Sequence, residues 1–455
     1  TRVLTARIAH IVKQHKAFPN QVLAVTFTNK AAKEMQLRVS KFLRKEATGL
    51  PWLGTFHSIS AKILRKHAEA AGLKSNFSII DQDDQVRLIK NICKSENIDT
   101  KKINFDLQTN CTKKKSALNW VSKNKTTKGG ELIKFQSYTG FDQRTVLIDG
   151  HKNNPIEITG YLQLPKGSDK VPIVIWTHSS GGPAEYAWND FVYHGTQNLL
   201  DAGIAVMYVD NFCHRGAKDT WRDQSKVPLI NGAIDAIMAY KLLQSHPRSN
   251  GKFGTTGHSR GGNNSLYLAD VKFTSLFLEG TNGFDAILPE AAECRLAGFF
   301  DKPELTSNTK LLYVHGAADD YTLPKPCQDY VKKIKADPGQ INIDIKEGWY
   351  HGFHYGQKPK KYQAMTVSKC PAFFVDNKGN VVGNEWPDLV LKKYKLYPSI
   401  DKFYEAAQVN PKKTWKNSFK ILKKEKCLDR GVMIGGDHMD EYMPQFINFF
   451  KENLL

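Results

Sequence analysis

Residues 252–266, KFGTTGHSRGGNNSL, narrow the possible folds more than any other stretch. A strand runs into Gly257-His258-Ser259-Arg260-Gly261 and then into the start of a helix. A serine at so sharp a turn needs bare neighbours, because a Cβ on either flanking glycine would clash. The turn lifts the serine Oγ to a helix N-terminus, where the dipole favours a developing anion. A strand feeding a helix in this way implies a parallel sheet covered on both faces.

The chain beyond residue 131 keeps that rhythm. Strands are expected at 156–164, 171–177, 204–209, 252–256, 311–315 and 341–346, with helices over 229–246 and 325–336. Serine chemistry of this kind needs an acid and then a base further along the chain. Strand 311–315 ends in HGAADDYTLP, which offers Asp319 or Asp320 as the acid. Strand 341–346 ends in EGWYHGF, which offers His351 as the base, with His438 as a rival after a later strand-like run. An earlier strand, VPIVIWT, is followed by His178-Ser179-Ser180-Gly181-Gly182. There an amide of Ser179 or Ser180 would join that of Arg260 as an oxyanion hole. His351-Gly-Phe-His354 lacks acidic partners at metal-binding spacing, so no metal and no cofactor are expected.

THSSGG, VDNFCHRG, GHSRGG, HGAADDYTLPKPC and YHGF together resemble dienelactone-hydrolase-type α/β-hydrolases over about 131–356. The resemblance implies an α/β-hydrolase fold with a mostly parallel sheet. It selects Asp319 as the acid and implies cleavage of a small-molecule ester, lactone or similar acyl compound. Two departures stand out: Ser259 replaces the founding cysteine nucleophile, and His178-Ser179 replaces the usual His-Gly. The domain is expected to span 131–455, with residues after 357 covering the active site or extending the sheet edge. The last helix should bury Phe446, Phe449 and Phe450.

The first third reads differently. Of the 65 basic residues, 25 lie in residues 1–130 against 9 of the 45 acidic ones, a field that favours phosphate backbones or anionic surfaces. An amphipathic helix is expected over 3–16, a strand over 21–27, and helices over 31–45, 58–71 and 83–96. LAVTFTNKAAKEM at 23–35 and GTFHSISAKILRKHA at 54–68 resemble the first motor domain of UvrD-like superfamily-1 DNA helicases. The resemblance implies an incomplete α/β motor segment over 1–104 that touches single-stranded DNA through Thr26, Phe27, Thr28, Asn29, Thr55, Phe56 and His57. Hydroxyls and amides hold phosphates while aromatic rings stack on bases. No G-x-x-x-x-G-K-[ST] phosphate loop occurs. Asp81, Asp83 and Asp84 read as a helix start rather than a magnesium site, so ATP hydrolysis is not expected. Residues 105–130, Lys-rich and closed by Gly-Gly, read as a linker or seam.

Seven cysteines without CxxC or zinc spacing (Cys93, Cys111, Cys213, Cys294, Cys327, Cys370 and Cys427) suggest a reducing compartment and no disulfide framework. The expected location is cytoplasmic, with a periplasmic origin open because Thr1 need not be a natural start. No apolar run is long enough to span a membrane.

Overall fold

The computed structural model describes residues 2–26, 29–43, 50–72, 130–278, 281, 283–383 and 385–455. The chain divides into two compact units, Thr1–Ile103 and Asn104–Leu455. The expected helix over 83–96, Asp81, Asp83 and Asp84, and nearly all of the 105–130 seam lie outside the described residues.

In the first unit, helix α1 (Arg2–Lys13) leads to strand β1 (Ala24–Thr26), helix α2 (Asn29–Leu43), strand β2 (Leu53–Thr55) and helix α3 (Phe56–Lys66). The strands pair in parallel, with Ala24 opposite Leu53 and Thr26 opposite Thr55. Ile8 and Val12 of α1 meet Met35, Val39 and Leu43 of α2 in a small core that includes Leu53. These spacings of three and four put each apolar stripe on one helix face. The sequence reading missed β2, whose three residues are too few to show a period.

The second unit is built on eight strands: β3 (Glu131–Tyr138), β4 (Pro155–Gln163), β5 (Val171–Thr177), β6 (Ala205–Asp210), β7 (Ser249–His258), β8 (Ala286–Glu290), β10 (Lys310–Gly316) and β11 (Ile341–Lys346). Their order across the sheet is β11-β10-β8-β7-β5-β6-β4-β3. From β6 to β11 every pairing is parallel, while β3 and β4 run antiparallel at the far edge. This order, with β7 central and its C-terminus opening into a helix, is the α/β-hydrolase fold. All seven residues of β5 are buried. Ile173 and Ile175 enter one core, Val174 and Trp176 the other, as the two-residue period of a doubly covered strand demands.

Helix α4 (Asn231–Gln244) covers one face. The final helix, α5 (Met439–Leu454), packs Phe446 and Phe450 into the core of the other face, with Phe449 half-buried against it. Between α4 and the sheet, Arg215 and Asp235 form a buried two-point ion pair of 2.6 and 2.8 Å. Ser137 and Asn211 bond the same carboxylate, which ties β3, the loop after β6 and α4 together.

The region after 357 adds a two-stranded antiparallel ribbon, β12 (Gln357–Thr366) with β15 (Asp429–Gly436). A three-stranded sheet joins β9 (Phe299–Phe300), β13 (Phe374–Val375) and β14 (Val381–Val382). The helix Pro411–Lys424 follows. The expectation of no disulfide framework is overturned. Cys294 bonds Cys327, Cys370 bonds Cys427, and Cys213 is also disulfide-bonded. The cysteines of the first two pairs are 33 and 57 residues apart, so only the tertiary fold brings them together and spacing gives no hint of them. Among the described residues no helix is long and apolar enough to cross a membrane.

Candidate active site

Ser259 lies at the end of β7 with φ 58° and ψ −116°. Its amide donates to Glu290 O at 2.8 Å, which anchors the turn to the end of β8. The flanking glycines are required by contact. A Cβ at Gly257 would lie 2.4 Å from Thr177 O, one at Gly261 2.3 Å from the same oxygen, and one at Gly262 2.4 Å from Glu290 O. The turn is therefore wedged between β5 and β8.

Asp319 occupies the loop after β10. Its Oδ1 accepts from the amides of Tyr321 and Thr322, and its Oδ2 accepts from Thr322 Oγ1 at 2.9 Å and from His351 Nδ1 at 2.7 Å. His315 Nε2 lies 3.1 Å from the same oxygen. Burial pushes the Asp319 carboxyl upward, but His351 and His315 outweigh it and hold the group well below the usual carboxylate range. Asp320, the alternative acid, instead accepts from Met433 N at 2.8 Å and serves β15.

With Nδ1–H of His351 donated to Asp319, Nε2 is left as the proton acceptor. His351 and Ser259 line one open cleft, together with Trp188, Trp221, Tyr355 and Tyr362. No hydrogen bond joins Ser259 Oγ to the imidazole. His438 lies elsewhere, stacked on Trp349 at 4.6 Å and 3.5 Å from Glu441.

The loop after β5 is fixed by His178. Its Nδ1 lies 2.8 Å from Ser179 O, and Nε2 accepts from Asn211 N at 3.1 Å. Burial lowers this imidazole to about 3, so it stays neutral. Of the two serines expected in the oxyanion hole, Ser179 needs correction. Its amide donates to Glu185 Oε2 at 2.8 Å, an acceptor six residues on whose approach depends on the fold of the loop. Ser180 and Arg260 both line a second, narrow cavity that also reaches Ser259.

Gln224 binds this corner together, donating to Ser180 Oγ at 3.0 Å and Tyr321 Oη at 3.1 Å while accepting from Arg260 at 2.8 Å. Trp415, Phe419, Met365 and Val367 from the C-terminal region complete the second cavity, so that region covers the site. Glu185, Gln224 and His315 carried no signal in the sequence, since each acts through a partner distant in the chain or through a loop. His354 is not paired with His351. Its Nδ1 points toward Glu290 on β8, an acidic partner that local spacing does not reveal.

In the first unit, Thr26 ends β1, and Thr55 is buried and caps α3 by accepting from Ser58 N at 3.2 Å. Phe56 is exposed. Asn29 and His57 belong to α2 and α3, and Phe27 and Thr28 lie outside the described residues.

Residues 1–148 match the UvrD/REP helicase N-terminal domain. The ATP-dependent DNA helicase PcrA of Staphylococcus epidermidis is 50% identical over 102 residues, which are 22% of this chain and 14% of that protein. The chain thus spans about a seventh of the helicases it matches. Solved structures with a similar fold include a dienelactone-hydrolase-like promiscuous phosphotriesterase from metagenomic libraries. It is 19% identical with a TM-score of 0.32, covering 50% of this chain and 85% of the other. The esterase domain of a Rhodothermus marinus protein is 14% identical with a TM-score of 0.32, covering 49% and 90%.

Proposed function

We propose that the second unit is a serine hydrolase acting on an ester, lactone or related acyl bond. The observation that carries this reading is the 2.7 Å bond from His351 Nδ1 to Asp319, in a cleft shared with the strained Ser259. Ser259 Oγ attacks the acyl carbon and His351 Nε2 takes its proton. The amides of Ser180 and Arg260 receive the oxyanion. Collapse of the tetrahedral adduct expels the alcohol, which takes the proton from His351, and leaves an acyl-enzyme. Water then attacks by the same route, releasing the acid and restoring Ser259. Both half-reactions balance with water alone.

Ser259→Ala should lower p-nitrophenyl ester turnover by about 10⁴-fold or more with the fold intact. Turnover within threefold of the wild type would sink the assignment.

Disulfides persist in oxidising compartments, so the two pairs favour a periplasmic or secreted setting over the cytoplasm for this unit. A second reading concerns residues 1–104, whose match to a helicase domain and basic charge suit single-stranded DNA. Binding that weakens as salt rises is the expected outcome, and absence of binding at low salt would count against it.

A further inference from the structure

Next to Ser259, three ionisable side chains converge without hydrogen-bonding one another, with the His258 ring centroid 4.6 Å from that of His351. His258, Glu290 and His354 are each no more than 3% exposed. His258 Nδ1 and His354 Nδ1 each lie 3.8 Å from Glu290 Oε2, and one ligand atom from each of the three residues falls within 4.8 Å of the others. Neither Nδ1 has a hydrogen-bond partner, and His258 Nε2 lacks one as well. Leaving such buried groups unsatisfied costs about 1–3 kcal/mol each. Two buried imidazoles thus turn unpartnered nitrogens toward one carboxylate, an arrangement that an ion between them would satisfy.

The geometry points to a divalent metal site of the zinc class, with His258, Glu290 and His354 as ligands. At 3.8 Å the pairs are too far apart to hydrogen-bond. Two atoms bound to one tetrahedral zinc at about 2.0–2.1 Å stand roughly 3.4 Å apart, so a shift of a few tenths of an ångström would bring each imidazole–carboxylate pair to binding distance, and the two imidazole nitrogens, which lie within 4.8 Å of one another, would close by up to about 1.4 Å. Two imidazoles and a carboxylate are a borderline donor set, suited to zinc or cobalt rather than magnesium or calcium. The carboxylate is already oriented, since Tyr442 Oη donates to Glu290 Oε1 at 2.8 Å, the kind of outer contact that holds a metal ligand in place.

Such an ion would join three places that matter to the cleft. His258 precedes Ser259, the Glu290 carbonyl accepts from the Ser259 amide, and His354 closes the loop that carries His351. Its role is to pin the serine turn to that loop. It takes no part in acyl transfer.

The test is metal content of the full chain after folding in the presence of zinc, and the visible spectrum after folding with cobalt. The wild type should retain about one ion per chain and show the d–d bands of a tetrahedral cobalt site. Glu290→Gln and His354→Gln should each cut retention at least tenfold. Zinc should raise the melting temperature of the wild type and leave that of either variant unchanged. Less than about a tenth of an equivalent in the wild type overturns the proposal, and so do variants that retain as much metal as the wild type. If the variants do not fold, wild-type content and the cobalt spectrum still decide. Ser259→Ala should keep its metal, so failure of the hydrolase reading and failure of this one are distinguishable.

Discussion

Ser259 holds φ 58° with a side chain attached, a conformation that persists only where the surroundings enforce it. The enforcement comes from Thr177 O, Glu290 O and three glycines, Gly257, Gly261 and Gly262, that cannot carry a Cβ. Gly261→Ala should destabilise the unit by about 2–4 kcal/mol in urea unfolding and lower kcat more than it raises KM. Asp319→Asn should cut kcat by about 10⁴-fold, because the imidazole loses the acceptor that sets its tautomer. The same variant makes a pH prediction. A carboxyl held below its unfolded value of 3.8 contributes stability that is present above that pH and lost as pH falls below it. The gap in melting temperature between wild type and Asp319→Asn should therefore be constant near neutrality and shrink below about pH 4.

Among the elements, legibility followed local pattern. β5 was readable to the residue because seven consecutive buried positions leave a continuous apolar run. β8 was not, since AILPE is five residues long and contains a proline. The order Ser259, Asp319, His351 could be read because each residue ends or follows a recognisable strand. Glu185 and Gln224 could not, because their roles depend on loops that meet only in the folded chain. β12, QKPKKYQAMT, looks like exposed polar chain, yet its end brings Met365 to the cavity. The covering helix Pro411–Lys424 contributes Trp415 and Phe419. Trp415→Ala should raise KM about tenfold for esters of long or bulky acids, with little change for acetate esters, in a chain-length series. Cys370–Cys427 ties this region down. Replacing both cysteines with serine should cost about 2–4 kcal/mol, read as a lower denaturation midpoint in non-reducing buffer.

At the scale of the whole molecule, two units of different ancestry share one chain, and the basic excess belongs mainly to the first. The helicase-like segment was legible from two motifs in order. The proposed reaction needs only residues of the second unit. Removing residues 1–129 should leave kcat/KM for ester hydrolysis within about twofold while abolishing salt-sensitive binding of single-stranded DNA. The central claim is that Ser259 is an activated nucleophile. Labelling the intact chain with a fluorophosphonate and locating the adduct by peptide mass spectrometry tests it most directly. One adduct per chain on the peptide containing Ser259, absent from Ser259→Ala and strongly slowed in Asp319→Asn, is the result expected. No adduct, or one on any other residue, would contradict it.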